Sequence, residues 1–328
     1  MKQEQFEAHF GARWVAFETW LARERLPARA RAKQAKPFAA NEAPARYREI
    51  CGQLALARSR DYGPALVGRL HQLAQAGHDK LYGTPGGWLH AWLRFLGGGF
   101  AQQVRAKKNV VFAAMLLFYG TYLLLALAVR IWPDFAFVVL PQEQLRQFDQ
   151  MYGPHTDTLG RARDAGDDVT MFGYYIFNNI GIGFRTFASG VIFGLGTLIS
   201  LVYNGVFFGV VEAHVINLGY AERFYSFVAG HSAFELTAIA LCGAAGLELG
   251  WALIAPGDRP RGMALREAGQ GVVGIVAGAA AMLLIAAAIE AFWSPRQFEP
   301  LLKYAVGILN WLLVGAYFLF AGRRNAAR

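Results

Sequence analysis

The sequence predicts an all-α protein: a polytopic transmembrane helix bundle of about six passes, one of them short or re-entrant, preceded by an N-terminal all-helical cytoplasmic domain. Three observations predict it. Of 328 residues, 55% are hydrophobic and only 17% charged, against about 25% charged in a soluble domain. The charge is also divided: residues 1–108 carry 18 Lys and Arg against 8 Asp and Glu, and residues 109–328 carry 14 against 15. Finally, uncharged runs of membrane-spanning length fall only in the second part. This pattern excludes a wholly soluble enzyme, a disordered chain or a nucleic-acid-binding domain as a description of the whole. Cys51 and Cys242 lie far apart in unlike surroundings and imply neither a disulfide framework nor a metal knuckle.

In the domain expected over 1–108, Phe6, Phe10, Trp14, Phe17 and Leu21 recur on one helix face. An Ala/Arg/Lys connector follows from Pro27 to Pro37. Asn41 is the expected N-cap of a helix over 43–59 with Tyr47, Ile50 and Leu54 inward. Asp61 is the expected cap of the next helix, where Leu66, Leu70, Leu73, Gly77 and Leu81 repeat. Thr84-Pro85-Gly86-Gly87 breaks the chain. Trp88, Trp92 and Phe95 then share a face of an interfacial helix at 88–97, beside Arg94, Arg105, Lys107 and Lys108. Aromatics next to cations just before a span suit the anionic phospholipid of a cytoplasmic leaflet. The cations of this domain are interleaved with acids, so no nucleic acid is expected as a partner.

The bundle is expected over 109–328. Val110–Val129, Ala268–Ile289 and Tyr304–Gly322 are uncharged and long enough to cross about 30 Å of hydrocarbon at 1.5 Å per residue. Val228–Ala255 is apolar but carries His231, Glu235 and Glu248. No apolar run occupies the first 30 residues, so no cleavable secretory signal is expected there. Basic clusters at Arg105, Lys107 and Lys108, at Arg259, Arg261 and Arg266, and at Arg323, Arg324 and Arg328 should stay inside. The loop 133–168, with Asp134, Glu143, Asp149, Asp157, Asp164, Asp167 and Asp168, should be outside. Residues 169–218 must then leave from the outside and return to it. The Asn204-Gly205 signal suggests a turn near the inner end. An interfacial helix over 171–184, a descending pass from Arg185 to Tyr203 and a short ascending limb from Val206 to Leu218 follow from that turn. The product is a multi-pass protein of the bacterial cytoplasmic membrane with both termini inside.

Gly190 with Gly194, Gly205 with Gly209, Gly246 with Gly250 and Gly274 with Gly278 are small-xxx-small pairs. Such pairs let helices approach closely in lipid. They serve packing within the bundle or the seam of a homodimer.

Ionisable groups at membrane depth are costly, so each is a candidate for function. His231 and Glu235 share one helix face. Glu212, His214, Arg185 and Asn204 complete the expected intramembrane polar cluster, while Glu248 and Glu290 lie near helix ends. The cluster reads as a proton relay, ion site or gate, or else as internal ion pairs, such as Arg185 with a glutamate, that fix helix register. No metal or cofactor is expected: a metal would need a third ligand, which only Glu212 or His214 could supply. No enzyme is expected either. The chain around His231 lacks His-Glu-x-x-His, Ser232 lacks the following glycine of an intramembrane serine protease, and there is no nucleotide-binding lysine loop.

Asn178-Asn179, Gly190, Gly194, Asn204-Gly205, Gly230-His231-x-x-x-Glu235-Leu236-x-Ala238-Ile239 and Gly243-Ala244-Ala245-Gly246-Leu247-x-Leu249-Gly250 together resemble the stage II sporulation protein M family. Trp14-x-x-Phe17-x-x-Trp20-Leu21, Ala55-x-Ala57-Arg58 and Ala76-x-His78-x-x-Leu81-Tyr82 resemble its longer branch in non-sporulating bacteria. Ser232 departs from the pattern, where glycine follows the histidine in many members. The resemblance implies an integral membrane protein without established catalysis. Sporulating members anchor partners that remodel septal peptidoglycan, and others resemble components encoded beside MoxR-type ATPases. The expected function is therefore a non-enzymatic membrane scaffold at the cell envelope. The alternative is a transporter or channel built on the polar cluster, because discontinuous helices with polar groups mark transport sites.

Overall fold

A computed structural model describes all residues except 83–86, 155–158, 160–166 and 324–328. The Thr84-Pro85-Gly86 break, Asp157, Asp164, Arg324 and Arg328 lie outside the described residues, which are helical with no strand. Two compact units form, Met1–Leu93 and Arg94–Arg328.

The first unit packs three helices, α1 (Gln3–Glu24), α2 (Ala43–Ser59) and α3 (Pro64–Tyr82). Its core holds Phe6, Trp14, Phe17 and Leu21 from α1, Ile50 and Leu54 from α2, and Leu66, Leu70 and Leu73 from α3, the faces that the periodicity marks. Inside it, Trp14 Nε1 donates to Gln53 Oε1 at 2.6 Å, so the indole is buried without leaving its donor unpaired. A Cβ at Gly77 would come within 2.9 Å of Tyr47 and 3.0 Å of Phe17, so α3 approaches its neighbours through that glycine. Two expected caps are corrected. Glu42 precedes α2 and no side chain caps it, because Ala40–Glu42 already forms a 3-10 turn. Asp61 sits in the turn before α3 at φ +50°. The unit's last helix, α4 (Gly87–Arg94), exposes Trp88, Leu89, Trp92 and Leu93.

The second unit begins at Arg94 and continues through a π-helical turn, Phe95–Gly99, into α5 (Phe100–Ala106). The two compact units divide between Leu93 and Arg94. Phe100 is buried in the second core, and the Arg105 guanidinium donates to the Phe318 and Ala321 carbonyls at 2.7 and 2.6 Å. Among the described residues, five helices are long and apolar enough to cross a membrane: α6 (Lys108–Ile131), and, further on, Leu195–Asn217, Ala221–Ile254, Arg261–Phe292 and Pro300–Phe320. Between α6 and the second of these lie α7 (Gln142–Tyr152), α8 (Asp168–Tyr175) and α9 (Gly181–Ala188), the last two joined by a π-helical turn over Ile176–Ile180. The remaining helices are numbered α10 (Leu195–Asn217), α11 (Ala221–Ile254), α12 (Arg261–Phe292) and α13 (Pro300–Phe320).

Helix α11 is the axis of the bundle. It is buried without interruption from Thr237 to Gly246, and α6, α9, α10, α12 and α13 all pack against it. A helix that is apolar all round belongs in a core. The outer helices differ: α6 exposes Phe112, Leu116, Leu123 and Leu127, and α13 exposes Leu301, Ile308, Leu312 and Leu319, as lipid-facing surfaces do.

The expected course of 169–218 is corrected here. The chain does not turn at Asn204-Gly205, which lies inside α10. It turns at Ser189–Gly194, where Phe193 and Gly194 have φ +50° and +79°. A helical run over 168–188 with one π-helical turn therefore replaces the interfacial helix and the pass from Arg185. A full-length helix replaces the short limb after Val206. Tertiary packing overrides the local signal. A side chain at Gly205 would overlap Thr121 and the Phe118 carbonyl, and one at Gly209 would overlap the Tyr122 carbonyl, so both glycines serve the contact of α10 with α6. Asn204 turns its amide back to the Ser200 carbonyl at 2.7 Å, which lets an asparagine sit inside a helix.

Candidate functional site

The bundle brings His231, Glu235 and Glu290 together. His231 and Glu235 stand one turn apart on α11, with His231 Nε2 3.7 Å from Glu235 Oε2. Glu290 comes from the last turns of α12, and one ligand atom from each of the three residues lies within 4.8 Å of the others. Neighbouring groups hold two of them in place. His231 Nδ1 is 3.1 Å from Ser294 Oγ, and the imidazole stands edge-on to Phe227 at 5.6 Å between ring centres. Asn179, in the π-helical turn, donates to Glu290 Oε2 at 3.1 Å and accepts from Asn178 at 3.0 Å. The fully buried Lys303 donates to the Ser294 carbonyl at 2.7 Å.

The cluster faces open space. A cavity of about 460 Å³ is lined by Asn178, Asn179, Arg185, Asn204, His231, Glu235 and Glu290. A second, of about 520 Å³, is lined by Glu212, Tyr225, His231, Ser232, Glu235 and Trp311. His231 and Glu235 border both.

The other expected members are spread out. Arg185 and Asn204 line the first cavity, and Arg185 makes no ion pair with a glutamate among the described residues. Glu212 lines the second cavity and accepts from the Tyr225 hydroxyl at 2.6 Å. His214 belongs elsewhere: its Nε2 is 2.9 Å from Asp149 Oδ1 on α7, and Phe137 stacks edge-on against it. Glu248 pairs with Lys107 at 2.7 Å, off the His231 face as the helical angle requires. The third group beside His231 and Glu235 is therefore Glu290 and not Glu212 or His214. Sequence alone set Glu290 aside as near a helix end, gave Asn179 only as part of the Asn178-Asn179 motif and did not name Ser294; the register between α11 and α12 brings Glu290 and Ser294 in, and the π-helical turn over Ile176–Ile180 brings Asn179. Trp293 against Gly230 is one contact that sets it: a Cβ there would be 2.6 Å from the indole.

The expected packing glycines all find their contacts within the chain. Gly190 lies on Gly246 and Gly194 on Gly250, while Gly205 and Gly209 lie on α6.

A family model described as stage II sporulation protein M matches residues 110–295, more than half of the chain. The chain belongs to the stage II sporulation protein M family. The matched segment of this SpoIIM-family protein runs from α6 to just past Ser294 and contains every residue of the His231 cluster. A second model, a domain of unknown function (DUF8413), matches residues 4–83, the three-helix part of the first unit. No curated protein and no solved structure matches the chain.

Proposed function

We propose that this SpoIIM-family membrane protein is a non-enzymatic scaffold of the bacterial cytoplasmic membrane, with both termini on the cytoplasmic side. The observation that carries this reading is the separation of two units with their own cores. One is a membrane bundle and the other a three-helix body carrying most of the excess positive charge. A body of that kind is suited to docking partners, for which MoxR-type ATPases and peptidoglycan-remodelling proteins are the candidates. Trp88 and Trp92, exposed beside Arg94, suit contact with anionic phospholipid. The basic clusters at 105–108 and 259–266 support the inside assignment for both termini. Self-association as a homodimer would use the exposed leucines of α6 and α13, since the glycine faces are filled within the chain.

Affinity capture from membranes tests the reading. Partners recovered with the full chain should be absent when residues 1–93 are removed; unchanged recovery argues against docking by the first unit. The two cavities meeting at His231 and Glu235 favour transport as the second reading. Proteoliposomes should then show ion or proton flux that Glu235→Gln abolishes, and an absence of flux from the wild-type chain removes that reading.

A further inference from the structure

We propose that His231, Glu235 and Glu290 form a binding site for one divalent first-row transition-metal ion, reached through the cavity they line. The proposal goes beyond the scaffold reading and does not depend on it. It starts from Glu235, which is only 8% exposed in the middle of the bundle. Its carboxylate has His231 Nε2 at 3.7 Å and accepts no hydrogen bond among the described residues. A buried carboxylate in such a position needs a cation or a proton. The two basic side chains nearby do not serve: Arg185, in the same cavity, and Lys303, on the Ser294 carbonyl, form no ion pair among the described residues.

The donor set then selects the ion. One imidazole nitrogen and two carboxylates suit Zn²⁺, Mn²⁺ or Fe²⁺ better than Mg²⁺ or Ca²⁺, which favour oxygen alone. A metal with bonds of about 2.1 Å holds its ligand atoms roughly 3 to 4 Å apart. The His231–Glu235 separation of 3.7 Å is within that range, and a Glu290 carboxylate oxygen lies within 4.8 Å of both. Metal-bound histidines and carboxylates are held by a second ring of hydrogen bonds. Here Ser294 engages Nδ1, leaving Nε2 toward Glu235, and Asn179 engages Glu290. Three protein ligands on one side leave the remaining positions open to the cavity, as in metal sites that exchange a water or ligand.

The test uses the full-length chain in detergent, stripped with a chelator and dialysed against Zn²⁺, Mn²⁺ or Mg²⁺ alone, with bound metal measured by elemental analysis and titration. About one Zn²⁺ or Mn²⁺ per chain is expected, with Mg²⁺ much weaker. Glu235→Gln and Glu290→Gln should weaken binding at least tenfold, and Asn179→Ala about tenfold or more, while Glu212→Gln leaves it unchanged. Should the glutamine variants fail to fold, Co²⁺ added to the wild-type chain decides: a visible band displaced by one equivalent of Zn²⁺ supports the site, and its absence overturns it. A wild-type chain that binds no transition metal, or folded Glu235→Gln and Glu290→Gln variants that bind it as tightly, also overturns the proposal.

Discussion

Gly190 packs directly on Gly246: a methyl group on Gly190 would overlap the Gly246 carbonyl. One turn further on, Gly194 and Gly250 repeat the contact. The turn at 189–194 is thereby pinned to the central helix backbone on backbone, where neither strand of the contact can move aside.

Gly190→Ala and Gly246→Ala should therefore each lower stability by about 1–3 kcal/mol, the usual cost of overpacking. Gly194→Ala adds the strain of an L residue at φ +79°. Gly271→Ala is the control. It lies in α12 with nothing within 4 Å of its Cβ position, and should be neutral or stabilising by up to about 1 kcal/mol. Thermal unfolding of the four variants in one detergent checks the ranking; equal midpoints for Gly190→Ala and Gly271→Ala would contradict it.

Arg105 closes the C-terminus of α13 through two carbonyls 213 and 216 residues away in sequence. The last carbonyls of a helix lack intrahelical donors, and a cation there also opposes the helix dipole. Arg105→Ala should cost about 1.5–3 kcal/mol, the range for hydrogen bonds from a charged donor. Faster amide exchange in the last turn of α13 would accompany it, and an unchanged exchange profile would show that the bonds do not hold that end.

In the first unit, Trp14→Phe keeps an aromatic ring in the core and removes the donor to Gln53. The buried Gln53 carbonyl then has lost its partner, so a loss of about 1–3 kcal/mol is expected. Trp14→Phe combined with Gln53→Leu should recover part of it, because the unpaired acceptor is then gone. A double variant no more stable than the single one would show that ring shape, and not the hydrogen bond, carries the effect.

These contacts also indicate what sequence can and cannot reveal here. Helical faces such as Phe6, Trp14, Phe17 and Leu21 are legible because burial imposes the period of 3.6. His231 and Glu235 are legible as a pair for the same reason, and the small-xxx-small glycines because only close backbone approach requires them. The partner of each glycine was not legible. Glu290 was hidden by its place near a helix end and His214–Asp149 by a partner in a loop helix. Both depend on register between helices, which side-chain volumes at Gly230, Trp293 and their neighbours decide. Asn204-Gly205 misleads for a related reason. Its local turn preference is weaker than the packing that Gly205 permits against α6.

Glu24 gives the first unit a pH dependence of known sign. At the end of α1 it meets the Arg31 guanidinium at 2.6 Å, Arg23 at 3.0 Å and the Lys80 ammonium at 3.4 Å. Burial by itself would raise its carboxyl, but the hydrogen bond and charge of Arg31, followed by those of Lys80, outweigh it and hold the group below its ordinary 4.5. A group whose pKa is depressed on folding adds stability above its unfolded value and loses it as pH falls through the folded one. Glu24→Gln keeps the shape and removes the charge. The wild-type chain should be more stable than Glu24→Gln by roughly 1 kcal/mol at neutral pH, since partly exposed ion pairs contribute little more. The difference should hold down to about pH 5 and close below the ordinary carboxylate value, as the folded-state carboxyl takes up its proton. Chemical denaturation of both proteins between pH 3 and 7, followed by fluorescence of the first unit's tryptophans, measures it. A gap that widens as the pH falls would reverse the sign and exclude Arg31 and Lys80 as its source.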